Sequence, residues 1–157
     1  MSRLSEELRA RTKGYASAVI HCYVKLPRER EEVRVLGKQL LRAGTSVAAH
    51  AREASRARSD SEFCSKLDGL LQEADESQLW LELLRDDCAI VGEQISSLLR
   101  ETDELMAIFT SMVSKLRRSG ARFQLFSMSA FQVPSPISNV TLLHLRSSIC
   151  GRLFGSS

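Results

Sequence analysis

The stretch Leu36-Gly37-Lys38-Gln39-Leu40-Leu41-Arg42-Ala43-Gly44-Thr45-Ser46-Val47-Ala48-Ala49-His50-Ala51-Arg52-Glu53-Ala54-Ser55-Arg56, followed closely by Ser59-Asp60-Ser61-Glu62-Phe63, decides the fold. Leu36, Leu40, Ala43, Val47, Ala51 and Ala54 recur at steps of three and four, which places them on one face of a helix. That face is narrow and built from small residues, so a neighbouring helix can come close. Ser59, with Glu62 three residues on, has the spacing of a capping box and marks the start of the next helix. Phe63, Leu67, Leu70, Ala74, Leu81 and Leu84 line its inner face, with Ser77 or Gln78 taking the missing step. Two long amphipathic helices joined by a capped turn imply a helical bundle rather than an active site.

Upstream, Leu8, Thr12, Tyr15, Val19, Cys22 and Leu26 form another such face, ended near Pro27 because the residue before a proline is pushed out of the α region. Downstream, Asp86 to Gly92 breaks the third helix from a fourth. On that fourth helix Ile95, Leu98, Thr102, Leu105, Phe109, Met112 and Leu116 keep three-four spacing over three heptads. Short connections between antiparallel neighbours predict an all-α, up-and-down, antiparallel four-helix bundle over residues 1–119. Helices of about 20 to 28 residues, rising roughly 1.5 Å each, would make a rod about 30 to 40 Å long.

After Gly120 the pattern dissolves into a Ser-rich segment with Pro134 and Pro136, no acidic residue, and scattered Phe123, Phe126, Phe131, Leu142, Leu143, Leu145 and Phe154. Residues 120–157 are expected to form an irregular, weakly structured carboxy-terminal extension with a short helix around Val140–Ile149. Docking on the bundle, on another subunit or on a membrane surface are open readings for it.

A chain of 157 residues, 43% hydrophobic and 6% aromatic, suits one domain whose core is made of Leu, Ala, Val and Ile. The net charge of +3 hides an asymmetry. Residues 1–104 hold sixteen basic and all nineteen acidic residues, for −3, whereas 105–157 hold six basic and no acidic residues, for +6. A polyanion would be drawn to the carboxy-terminal end. Cys22, Cys64, Cys88 and Cys150 lie far apart with no CxxC and no partnering His spacing, so they read as reduced, buried thiols rather than a zinc site or redox pair. The charged segment Met1 to Arg9 lacks the apolar core of a secretory signal, and no run reaches the roughly 18 apolar residues of a spanning helix. The expected compartment is the cytoplasm, without integral membrane insertion. No GxxxxGK[ST], GxGxxG, HExxH or GxSxG motif occurs, so neither an enzyme nor a cofactor is expected.

The run Leu36 to Val47, then Arg52-Glu53-Ala54, Arg58-Ser59, Glu62-Phe63, Lys66-Leu67, Glu73-Ala74-Asp75-Glu76 and Trp80-Leu81-Glu82-Leu83-Leu84, resembles the bacterial four-helix-bundle proteins of the 23S rRNA intervening-sequence family. The likeness extends from about Glu7 to Arg118. It implies a left-handed up-and-down bundle that assembles as a homopentameric, barrel-like ring and carries no established enzymatic activity. Members are encoded in insertions within 23S rRNA genes and in other genomic settings. A related bundle, the accessory protein of diversity-generating retroelements, binds a reverse transcriptase and nucleic acid through basic surfaces. Two departures stand out: His50 where the family usually has Asn, and Ser55 where Gly often follows the Glu-Ala pair.

Candidate residues follow. Arg34, Lys38 and Arg42 are four apart and share one side of the second helix, and Arg52 and Arg56 repeat the arrangement. They form either a basic stripe for phosphates, an acidic partner or a neighbouring subunit, or a solvated face paired with acidic residues of the third helix. Lys115, Arg117 and Arg118, with Arg122, either bind phosphates or complement the carboxy-terminal end of the fourth helix, the latter being favoured. Gln39, Glu73 and Glu76, with Arg42, are expected to form a structural polar layer inside the bundle, fixing register or subunit geometry. A dimetal carboxylate site needs Glu-x-x-His, and Glu73-x-x-Glu76 lacks the His, while His21, His50 and His144 have no carboxylate three residues before them. No metal site is therefore expected. His50 reads as a satisfied or surface histidine. Trp80 is either a subunit contact or a residue of the bundle's own core or groove.

Overall fold

A computed structural model describes residues 3–129 of the chain, with side chains described for 3–119. Four α-helices account for most of it: α1 Glu6–Lys25, α2 Glu31–Ser55, α3 Asp60–Asp86 and α4 Glu93–Ser129, with no strand among the described residues. Helix α1 begins at Ser5, whose hydroxyl accepts a bond from the Leu8 amide at 3.2 Å, and ends before Pro27. At α3, Ser59 Oγ accepts from the Glu62 amide at 3.1 Å, while the Glu62 carboxylate reaches one residue further back than in the usual capping box, to the Arg58 amide at 2.9 Å. The first bond satisfies a donor that the first turn would otherwise leave unpaired, and the second ties the preceding turn to the helix.

Consecutive helices pack on one another, and α1 closes onto α4 through the sparsest contact of the four. Each end of the bundle is tied across. At one end the Arg3 amide donates to the Ser55 carbonyl at 3.2 Å. At the other, Arg30 Nη1 donates to the Cys88 carbonyl at 2.7 Å, joining the α1–α2 and α3–α4 turns. In the α3–α4 turn, Ala89 takes a left-handed conformation with φ of 54°. No helix of the described residues is long and apolar enough to cross a membrane.

The core matches the periodicity with small phase corrections. On α2 the buried face begins at Val33 and Gly37, leaving Leu36 half-buried. On α3 the missing step is Ser77, fully buried, rather than Gln78. On α4 the last buried position among the described side chains is Val113, with Met112 and Leu116 packed at the margin. Cys22 and Cys88 are buried and Cys64 half-buried, all as free thiols, and burial pushes the Cys22 thiol up from its ordinary pKa. Helix α4 runs on to Ser129, past Gly120, where the apolar period fades in the sequence. The remaining extension, including the helix expected around Val140–Ile149, lies outside the described residues, as does Cys150.

The polar layer is not the expected one. Gln39, Arg42 and Glu76 are exposed and Glu73 only half-buried, because Gln39, Glu73 and Glu76 each sit one residue, about 100°, ahead of the buried Leu40, Ala74 and Ser77. Among the described residues the buried polar side chains are instead Thr12, Ser55, Ser77 and Thr102, together with Tyr15. Thr102 donates to the Leu98 carbonyl at 2.7 Å, which leaves its oxygen to accept from the Tyr15 hydroxyl at 2.8 Å. Burial raises the Tyr15 pKa, so the phenol stays a donor. This bond pins α1 to α4.

The α1–α2 approach depends on absent side chains. A Cβ at Gly44 would meet Val19 Cγ2 at 2.8 Å and Cγ1 at 2.9 Å, and one at Gly37 would meet Leu26 Cδ1 at 2.7 Å. At Gly14, on α1, nothing lies within 4 Å. The same substitution should therefore act in opposite directions. Urea denaturation should show Gly44→Ala destabilising by about 1 to 3 kcal/mol through overpacking, and Gly14→Ala stabilising by about 0.5 to 1 kcal/mol through helix propensity.

Candidate interaction surfaces

The outer face of α2 holds the cations singled out in the sequence. Arg34, Lys38, Arg42, Arg52 and Arg56 are all exposed, opposite the buried face, and span about 33 Å at roughly 1.5 Å per residue. Arg34 pairs with Glu31 one turn back on its own helix. Lys38, Arg42, Arg52 and Arg56 have no ion-pair partner among the described residues. The expected pairing with α3 is made by other residues: Glu53 Oε2 accepts from Lys66 Nζ at 2.7 Å. His50 lies beside this pair, its Nδ1 3.7 Å from Glu53 Oε2, with its ring over Gly69, where a Cβ would come within 3.3 Å. His50 is thus a packing residue of the α2–α3 seam. Ser55 is buried, its hydroxyl donating to the Arg52 carbonyl at 2.7 Å.

Two grooves border α1. One of about 590 Å³ between α1 and α2 is bounded by Arg9, Lys13 and Arg52 over Ala10, Ala48 and Ala49, with Glu6 bonded to Arg9. Arg9 and Lys13, four apart on α1, belong to the cationic side but were not singled out, although their spacing shows it in the sequence. The other, about 750 Å³, follows the α1–α4 seam past Gly14, Tyr15, Ala18 and Leu98. Arg11 bridges that seam with two bonds to Glu101, at 2.7 and 2.9 Å, and a third to Glu104, which hold its pKa above the ordinary arginine value.

On α4, Arg117 Nη2 binds both oxygens of Asp68 on α3, at 2.8 and 3.0 Å. Arg118 Nε donates to the Ser114 carbonyl at 3.2 Å, and Lys115 has no ion-pair partner among the described residues. The favoured helix-end role for these cations does not hold. Helix α4 continues for more than two further turns, and the field of the helix dipole is confined to the last turn. Trp80 is half-buried and packs against the core cluster. Among the described residues no three His, Cys, Asp or Glu side chains are gathered to hold a metal ion.

Charge is divided between the halves of the bundle. Residues 3–58, covering α1 and α2, hold thirteen basic and six acidic residues, for +7. Residues 60–104, covering α3 and the first part of α4, hold three basic and thirteen acidic residues, for −10. The cationic side is therefore a surface feature built by two adjacent helices.

The family model for the 23S rRNA-intervening sequence protein matches residues 7–111, from the first turn of α1 well into α4. The chain belongs to this family. Its described fold is similar to the crystal structure of a protein of unknown function from the S23 ribosomal protein family of Bacteroides thetaiotaomicron VPI-5482. The two are 34% identical, the likeness covers 68% of this chain and 95% of that one, and the TM-score is 0.62. Among curated proteins nothing matches. The family match spans both the α2 stripe and the Glu53–Lys66 pair, and stops short of Lys115, Arg117 and Arg118.

The Lys66 ammonium holds the Glu53 carboxyl below its ordinary value of 4.5. A carboxylate lowered by folding contributes stability above its ordinary pKa and loses it as the pH falls through the lowered value. Glu53→Gln should therefore cost about 0.5 kcal/mol in urea titrations at about pH 7, the range of exposed pairs, and progressively less as the pH falls below 4.5.

Proposed function

We propose that this member of the 23S rRNA-intervening sequence family is a non-catalytic, cytoplasmic scaffold. It self-associates, as the pentameric ring that the resemblance implies, and contacts RNA, DNA or a nucleoprotein partner through cationic surface. The observation that carries the reading is the division of charge between +7 on α1 and α2 and −10 on α3 and early α4. Such a molecule attracts its own kind with one side opposed to the other, and its basic side raises the local concentration of polyanions. The absence of catalytic motifs in the sequence supports a binding role. A second reading, a module that meets only proteins, draws on the unpaired α2 cations facing a surplus of acid on another copy.

Light scattering at micromolar concentration should give a mass several times that of one chain, and a strict monomer would remove the ring. Fluorescence anisotropy with labelled RNA and DNA should show binding at low salt. If about four phosphates are neutralised, the log–log slope against salt should be about −3 to −4. An absence of binding at low salt would remove the nucleic-acid contact and leave the protein-only module.

A further inference from the structure

Two exposed stripes run along the outside of the bundle. On α2, Lys38, Arg42, Thr45, Ala49, Arg52 and Arg56 recur at alternating steps of four and three, and no acidic residue occurs between Glu32 and Glu53. On α3, Asp68, Gln72, Asp75, Leu79, Glu82 and Asp86 recur in the same rhythm on the face opposite the core. All are exposed except Thr45 and Glu82, which are half-buried. Spacing of this kind is what one helix needs to meet another along its length, and here it lies on the outside of a bundle that already has its own core. Each stripe also carries or adjoins an exposed aliphatic residue, Leu79 at 46% and Val35 at 47% exposure.

We infer that the α2 stripe of one copy seats on the α3 stripe of the next, in a head-to-tail contact repeated around the assembly. This names the faces for the self-association proposed above and rests on it. The charges are complementary, basic against acidic, and most lack a partner within the chain. Asp75, like Lys38 and Arg42, has no ion-pair partner among the described residues, whereas Asp68 is held by Arg117 and Asp86 by Arg85. The register agrees as well. The Glu53–Lys66 pair and the His50–Gly69 contact set the relative height of the two helices, which places Lys38 level with Glu82, Arg42 with Leu79, Thr45 with Asp75 and Arg52 with Asp68. Rotation about an axis parallel to the bundle preserves height, so those residues stay level when they come from different copies. The α2 and α3 of neighbouring copies then run antiparallel, and the Arg42 stem can cover Leu79 while its guanidinium reaches an acid beside it. Because different faces meet, the contact is heterologous and closes into a ring when the rotation permits. Lys13 on α1 and Lys115 and Arg118 on α4 lie outside it and remain for a polyanion.

The test uses the full chain and two variants, one carrying Lys38→Glu and Arg42→Glu, the other Asp75→Lys and Glu82→Lys. Circular dichroism and thermal melting verify that each folds, as exposed helical substitutions permit. In light scattering each variant alone should fall to monomer, its contact weakened by about 100-fold through like-charge opposition. Mixing the two should restore association, since each presents what the other lacks, and because strict alternation cannot close a ring of five the mixed species should be pairs, open chains or even-numbered rings. If the parent chain assembles and both variants do as well, the face assignment is overturned while self-association stands. Folded monomeric variants that do not recombine on mixing would also overturn it. A monomeric parent would remove both.

Discussion

The bundle depends on how closely α1 can lie on α2, and Gly44 sets that distance. With no side chain there, the Val19 methyl groups lie 2.8 and 2.9 Å from where a Cβ would stand, and Gly37 admits Leu26 and Tyr23 one heptad away. Ala43, Ala51 and Ala54 keep the rest of the inner face shallow. Such packing gains dispersion energy in many small contacts rather than a few large ones, and it tolerates no added volume. Having placed its small residues inward, α2 presents long basic ones outward, and the two faces of one helix take on separate tasks.

Electrostatics then follow from chain order. Adjacent helices α1 and α2 carry the basic surplus and α3 with early α4 the acidic surplus, so a seam between unlike halves runs along the bundle on both sides. Glu53–Lys66 and Arg11–Glu101 sit on those two seams. The pairs are partly exposed, and each contributes little to stability alone. Their larger effect is on what the surface presents, because they neutralise the seams and leave the outer faces at opposite sign.

The helices, their boundaries near Pro27 and Ser59, and most of the core were legible because apolar spacing and capping chemistry are local signals. Ser77 and Thr102 at buried positions were legible only as gaps in the pattern, and their meaning waited on Tyr15, which is brought to Thr102 by tertiary packing. The same limitation misplaced the polar layer: Gln39, Glu73 and Glu76 are conspicuous in the sequence, but a one-residue phase difference turns each outward. The basic stripe was legible by its four-residue spacing. Its lack of partners was not, since in-chain pairing is decided by which helix lies opposite. Helix α4 runs past the end of its apolar period because backbone hydrogen bonding along a helix does not itself require an apolar face.

The bond between Tyr15 and Thr102 and the bridge from Arg11 to Glu101 join residues 87 and 90 positions apart. Loop closure over such separations comes late, after the more local contacts of successive helices. During synthesis from the amino terminus, α1, α2 and α3 are complete while the side of α1 bearing Arg11 and Tyr15 has not yet met its partner helix. The nascent three-helix form therefore carries an open apolar furrow until α4 emerges, and in that interval a helix from another chain could occupy the place that α4 later fills.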